Sequence, residues 1–345
     1  MYRIKYLYFI GLLLVECTLT KENIPDCISI DYWYGDRQTF GDPGLAQPWI
    51  NIVGNVESEH GIQSLFYQLN EGDSVELTWG QDRHRLANPG DFNIDIHYSQ
   101  VNSETNSLRT TVVDSSGHSR SRVMHLSFIE GKSWPLPYEI YWEKVNDIQE
   151  VAQVVDGHWQ LTPDGIRTLD PWYDRIIAIG DSTWKEYEII TSVIFHGYTP
   201  PVPGPPNYGV SHAALAMRWP GHDMDKNQPH VKWYPLGATC EFQLKNNLDS
   251  CRWRILGDQH VKTEDTYQHF SIVLGKKYHL KSQVENIEKN LTRYRVKIWP
   301  ADDPEPERWQ LTAVEGAKDI PSGSALLIAH NTDVTFGNVR IRPLE

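Results

Sequence analysis

The run Asp91-Phe92-Asn93-Ile94-Asp95-Ile96-His97-Tyr98 alternates polar and apolar residues. It puts Phe92, Ile94, Ile96 and Tyr98 on one face of a strand and Asn93, Asp95 and His97 on the other, the period of half-buried β-structure. Trp49–Val56 and Ile62–Leu69 read as two more strands. Thr110-Thr111-Val112-Val113 and Arg122–Phe128 flank Asp114-Ser115-Ser116-Gly117, which predicts a hairpin. Strands at this spacing with no helical period predict a β-sandwich over residues 28–142. Ser133-Trp134-Pro135-Leu136-Pro137-Tyr138 then interrupts the pattern. Its prolines force an extended segment that Trp134 and Tyr138 can pin between two bodies, and the domain junction is expected between Trp142 and Val151.

Beyond the junction the strand signals are longer. Trp159–Leu161, Tyr187–Phe195, Ala213–Trp219, Arg252–Leu256, Tyr278–Val284, Tyr294–Trp299, Ala325–Ala329 and Val334–Ile341 are rich in β-branched and aromatic residues. One short helix is expected within Asp147–Val154. A chain segment this long with this many strands predicts a two-sheet jelly roll over 147–345. Thr199–Pro206, rich in proline, reads as a stiff surface loop. The fold class expected is all-β, a small sandwich followed by a larger one.

Two resemblances sharpen this. Asn51–Val56, Gly61–Asn70 and Asp114-Ser115-Ser116-Gly117-His118 together resemble the bacterial Ig-like and cadherin-like modules of exported proteins, which implies a spacer or adhesive role for residues 28–142. In the second part, Trp184-Lys185-Glu186-Tyr187-Glu188 resembles the W-x-x-Y-E strand of concanavalin A-like lectin/glucanase domains, the laminin G-like class. Phe336-Gly337-Asn338-Val339 is similar to that superfamily's closing F-D-N-V strand. The resemblance implies a concanavalin-like jelly roll. Gly337 replaces an Asp that sometimes ligates calcium in the family, so it implies no family-type calcium site there. Sugar-binding modules, hydrolases, lyases and adhesion domains share this fold, and fold alone does not choose among them.

Charge narrows the partners. The 345 residues carry 32 Lys+Arg against 45 Asp+Glu, a net charge of −13, which disfavours nucleic acid and anionic membrane. Arg3 and Lys5 precede the apolar run Leu7–Val15, the pattern of a signal peptide, expected over 1–20 and leaving no membrane span once removed. Secretion or display at the cell surface follows. In that compartment Cys240 and Cys251, at the ends of a segment centred on Asn246-Asn247, are expected either to bridge across a hairpin or to stay as buried thiols. Cys27 is left without a role. Asn290-Leu291-Thr292 is a glycosylation sequon.

Chemistry is harder to read. The E-x-D-x-x-E spacing that would place two carboxyls on one strand face for glycoside hydrolysis is absent. Glu186 and Glu188 read as solvated acids on a strand edge. His196, His212, His222, His230 and His330 lie near strand ends without a visible partner. The segment from Arg218 to Pro235 is the richest. Asp223, Asp225 and Asn227 copy the opening of an EF-hand loop, D-x-D-x-N, whereas Gln228 replaces its turn glycine and Tyr234 its bidentate acid. An irregular Ca²⁺ site and acids that merely solvate the loop are the two alternatives. Trp219, Trp233 and Tyr234 offer rings for sugar stacking, with Arg218, His222 and Asp223 for hydroxyls; the alternative is that these rings are core.

The expected function is an exported protein that binds glycan or another extracellular polymer without catalysis, because the acid pair is missing. A carbohydrate-active hydrolase or lyase is the second reading. A structural or adhesive surface subunit, with a protein partner or self-assembly, is the third.

Overall fold

The computed structural model describes residues 27–344, except 83, 104, 200–209, 232–234, 246–247, 258–261 and 265–269. The expected signal peptide lies outside the described residues, as does nearly all of the proline-rich loop. Among the described residues the strands form four sheets, and no helix is long and apolar enough to cross a membrane.

The first sandwich contains β1 (Ile28–Tyr32), β2 (Arg37–Phe40), β3 (Trp49–Ser58), β4 (Ile62–Leu69), β5 (Ser74–Glu76), β6 (Asp91–His97), β7 (Thr105–Asp114) and β8 (Ser119–Phe128). They pair as β1-β3-β6 and β2-β8-β7-β4-β5. Between the sheets lies an apolar core with Ile50, Ile52, Phe92, Ile94, Leu108 and Met124. The hairpin predicted around Asp114–Gly117 is β7–β8. Its turn is closed by Asp114, whose Oδ1 accepts the amides of Ser116 and His118, each at 2.9 Å.

The second sandwich begins with β9 (Tyr138–Ile140), β10 (Gln153–Asp156), β11 (Trp159–Thr162), β12 (Gly165–Thr168), β13 (Arg175–Ile179) and β14 (Tyr187–Tyr198). It continues with β15 (His212–Trp219), β16 (Ala238–Gln243), β17 (Arg252–Gly257), β18 (Lys262–Glu264) and β19 (Lys277–Glu288). It ends with β20 (Leu291–Pro300), β21 (Leu311–Glu315), β22 (Ser324–His330) and β23 (Thr332–Pro343). One sheet runs β10-β13-β22-β15-β16-β17-β18; the other runs β11-β12-β23-β14-β19-β20-β21, with β9 added on β23. Because β9 joins this sheet and Trp142 sits in its core, the division between the bodies falls upstream of Tyr138 rather than after Trp142. The short helix is a 3₁₀ turn, Ile148–Glu150, capped by Asp147. Gly337 has a steric reason to be glycine. A Cβ there would overlap Ser192 Oγ, and its carbonyl accepts Trp142 Nε1 at 2.8 Å.

Most of the polar face of β6 does not meet water. Asn93 and Asp95 are each 1% exposed, because that face packs on the second sandwich. Arg85 joins the bodies: Nη1 donates to Asp95 Oδ2 at 2.6 Å, Nη2 to Asp95 Oδ1 at 3.1 Å, and Nε to Asp156 Oδ1 at 2.5 Å. Asn51 donates to Asp95, Gln153 to Asn51 and to the Trp49 carbonyl, and Asn93 to the Val155 carbonyl. Alternation separates the two faces correctly, but the outside of the strand is an interface whose buried polar side chains are largely hydrogen-bonded across it.

Cys240 and Cys251 are free thiols, not a bridge. The hairpin exists, but its register sets Cys240 opposite Ile255 and Gln243 opposite Arg252. Cys251 lies just before β17, so the two cysteines fall at different heights of the ladder, out of reach for a disulfide. Alkylation of the unreduced protein in denaturant, followed by mass spectrometry, is expected to label both Cys240 and Cys251; a peptide pair linked through them would contradict this register.

Candidate functional site

Among the described residues of the Arg218–Pro235 segment, Trp219 and Arg218 are not open to a sugar. Trp219 is 0% exposed and belongs to the core. Arg218 is equally buried; its guanidinium donates to Asp319 Oδ2 (3.1 Å), Asn286 Oδ1 (2.9 Å), Thr292 Oγ1 (3.1 Å) and two carbonyls. That leaves it no role as an open hydroxyl ligand. The end of β15 is irregular, with a register shift between Ala216 and Trp219 and Arg218 at φ 56°, and both Arg218 and Trp219 are turned into the interior of this covered strand.

The loop after β15 staples the two sandwiches. The His222 carbonyl accepts Trp49 Nε1 at 3.0 Å and its amide donates to Gln47. His222 is 5% exposed, with Nε2 3.5 Å from Asp156 Oδ2. Gln228 copies a strand partner, accepting the Asp95 amide at 2.9 Å and donating to the Asp95 carbonyl at 2.8 Å. Asp225 is spent on its own loop: Oδ1 accepts the Asn227 amide and Oδ2 the Val231 amide, while His230 Nδ1 stands 3.5 Å away. Of the three, the Asp225 carboxylate is thus used in closing its own loop, and Asp223 and Asn227 face solvent. Trp233 and Tyr234 lie outside the described residues. Asn290 is exposed at the tip between β19 and β20 with φ 69°.

The polar groups gather instead on β15, β16 and β17. Cys240 and Phe242 point into the core, so Glu241 and Gln243 take the opposite face. Register then defines two cross-strand rows on that face. One is His330, His212, Gln243 and Arg252; the other is Ile328, Ala214, Glu241, Arg254 and Glu264. Arg254 grips Glu241 with two hydrogen bonds, 2.7 and 2.9 Å. Gln243 donates to Glu241 at 3.0 Å, Lys245 to Gln243 at 3.0 Å, and Arg252 faces Glu264 at 3.7 Å. His330, His212, Gln243 and Glu241 are buried with the aliphatic Ile328 and Ala214, whereas Lys245, Arg252, Arg254 and Glu264 are half-exposed. The result is a strip of hydrogen-bonding groups held by one another, open only at its Lys245, Arg252, Arg254 and Glu264 end.

At the inner end, His212 and His330 stack at 4.6 Å with rings 2° apart. His330 Nδ1 donates to Asp174 Oδ1 at 2.7 Å, and His212 Nδ1 to the Val210 carbonyl at 2.7 Å. Asp174, His212 and His330 bring ligand-type atoms within 4.8 Å of one another. Imidazole lone pairs lie in the ring plane, however, so parallel stacked rings point past each other and do not converge on one ion. Burial, with His330 alongside, pushes His212 from 6.5 down to about 3. Its folded value is depressed, so stability from the neutral ring is whole above about pH 6.5 and erodes as pH falls toward about 3. Imidazole ¹⁵N shifts are expected to report a neutral His212 from pH 8 to about 4, given a value near 3; titration near 6.5 would show that the ring is not buried.

The sequence marks His212 and His330 only as isolated histidines. Asp174 is 156 residues from His330, and no spacing rule reaches that far. Thr239, Glu241 and Gln243 alternating with Ala238, Cys240 and Phe242 is the local signal that could have found the strip. Glu188 is a strand acid paired with Lys281 at 3.0 Å.

No family model matches the chain, and no curated relative is similar to it. Among solved structures, the Ca²⁺-bound exoplasmic/lumenal domain of VIP36 is 13% identical, with 55% of this chain and 82% of that chain covered and a TM-score of 0.34. Its metal-free form is 12% identical over 62% and 92%, with a TM-score of 0.36. A carbohydrate-binding module of the β-sandwich superfamily is 11% identical over 87% and 94%, with a TM-score of 0.19. Identities and TM-scores this low say nothing of ligand or chemistry.

Proposed function

We propose that this is an exported glycan-binding protein whose ligand lies along the half-exposed end of this strip, Lys245, Arg252, Arg254 and Glu264, with the buried Glu241 and Gln243 holding those side chains from beneath. The observation that carries the reading is the Arg254–Glu241 pair with Gln243 and Lys245 chained to it on one strand face. Such a row offers fixed donors and acceptors at strand spacing, the pattern that vicinal hydroxyls match, at little ordering cost. Trp233 and Tyr234 stay in the proposal on sequence alone, as rings shortly before β16 begins at Ala238. Export rests on the charged and apolar amino-terminal pattern.

A non-catalytic role is favoured. Glu241 and Glu264 are each matched by an arginine, whereas a glycosidase needs one carboxyl kept protonated in an apolar setting. Calcium has no part in the reading, since Asp225 closes its own loop.

A glycan array probed with the full chain and with Arg254→Ala, each with and without EDTA, tests this. Wild-type signal on a subset of glycans, insensitive to EDTA and reduced at least about tenfold by the substitution, is expected for loss of one charge-assisted contact of about 1.5–3 kcal/mol. Uniform absence of signal would count against glycan binding, and loss on EDTA against the calcium-free reading.

A further inference from the structure

Among the described residues Cys27 has no partner thiol, yet it is not isolated. The start of β1, the turn after β3 and the β7–β8 turn meet at one edge of the first sandwich. The Glu59 amide donates to the Cys27 carbonyl at 3.1 Å, and the Ser115 amide to the Gly61 carbonyl at 3.0 Å, which ties the three segments together. There the Cys27 thiol, the Asp114 carboxylate and a ring nitrogen of His118 lie within 4.8 Å of one another. Asp114 uses Oδ1 for its turn amides and turns Oδ2 toward His118 Nδ1, 3.2 Å away. The His60 ring stands 5.7 Å from that of His118, inclined by 33°.

We propose that Cys27, Asp114, His118 and His60 bind one zinc-class divalent ion at this edge. Thiolate and imidazole donors select such an ion over calcium or magnesium. With Zn–N distances of about 2.0–2.1 Å, two imidazoles on one tetrahedral ion place their centroids roughly 5 Å apart and inclined. The His60–His118 pair is close to that arrangement, in contrast to the parallel stack of His212 and His330. The Cys27, Asp114 and His118 donors, within 4.8 Å of one another, close to tetrahedral spacing by side-chain rotation, and His60 swings in from beside His118 as the fourth, since His60 and His118 are exposed and Cys27 is half-buried. The ion would tie the first residues of β1 to two turns, and its uptake releases the thiol proton, so affinity rises with pH.

Titration of the full, reduced chain with Co²⁺ alone provides the test. One equivalent is expected to bind with a thiolate-to-cobalt charge-transfer absorption that Zn²⁺ then abolishes by displacement. Cys27→Ser should remove the band. His118→Ala, at an exposed ring, should weaken binding by on the order of tenfold or more. No charge-transfer band in the wild-type protein, or a band that persists in Cys27→Ser, would overturn the proposal.

Discussion

Replacing Arg85 by methionine is expected to cost on the order of 3–5 kcal/mol of unfolding free energy, because it leaves two buried carboxylates without their cation. Asp95 and Asp156 are each 1% exposed, and Arg85 is 4% exposed, with hydrogen bonds to both and to the His230 and Val155 carbonyls. Arg85 belongs to the first sandwich, Asp156 and His230 to the second, so the loss falls on the junction as well as on the fold. Urea unfolding followed by tryptophan fluorescence should show a lower midpoint and a transition broadened or split as the bodies uncouple. A change below about 1 kcal/mol would mean that the pair is solvated or dispensable. The acid limb gives a second readout. Despite desolvation that works to raise it, Asp95 is held below the ordinary carboxylate range by Arg85 and nearby groups. Its contribution is therefore whole above the ordinary range and disappears as pH falls through the lower folded value. Arg85→Met should shift acid unfolding of the protein to higher pH.

Trp219→Ala is expected to destabilise by about 3–5 kcal/mol, the range for truncating a large buried aromatic. The ring is 0% exposed, and its neighbour Arg218 is anchored to Asp319 at 3.1 Å. Glycan affinity, measured well below the unfolding midpoint, should not change. Intact stability with lost affinity would restore Trp219 as a ligand platform.

The strand pattern makes most of the two sandwiches legible: β6, the β7–β8 hairpin, β14 and β15 follow directly from alternation and β-branched runs, whereas β16 is not among the expected strands. What alternation cannot say is what covers a face. The polar side of β6 reads as solvent-facing, yet it is the junction; Arg218 and Trp219 read as a rim, yet they are interior. A β-strand reports two faces, and burial of each depends on chain far away in sequence. The same limit hides the strip. Glu241 and Gln243 are visible as alternating polar residues, but Arg254 meets Glu241 only through the hairpin register, which the cysteine spacing suggests four residues out of place. Cys27 has no role legible in the sequence because Asp114 and His118 reach it through tertiary contacts alone.

Where the ligand sits is decided most directly by calorimetric titration of an array-selected glycan into Arg254→Ala and Asp223→Asn. If the strip on β16 and β17 is the binding face, Arg254→Ala weakens Kd at least about tenfold, as removal of a charge-assisted contact does, and Asp223→Asn binds like wild type. Unchanged affinity in Arg254→Ala with loss in Asp223→Asn would move the site to the loop between the sandwiches.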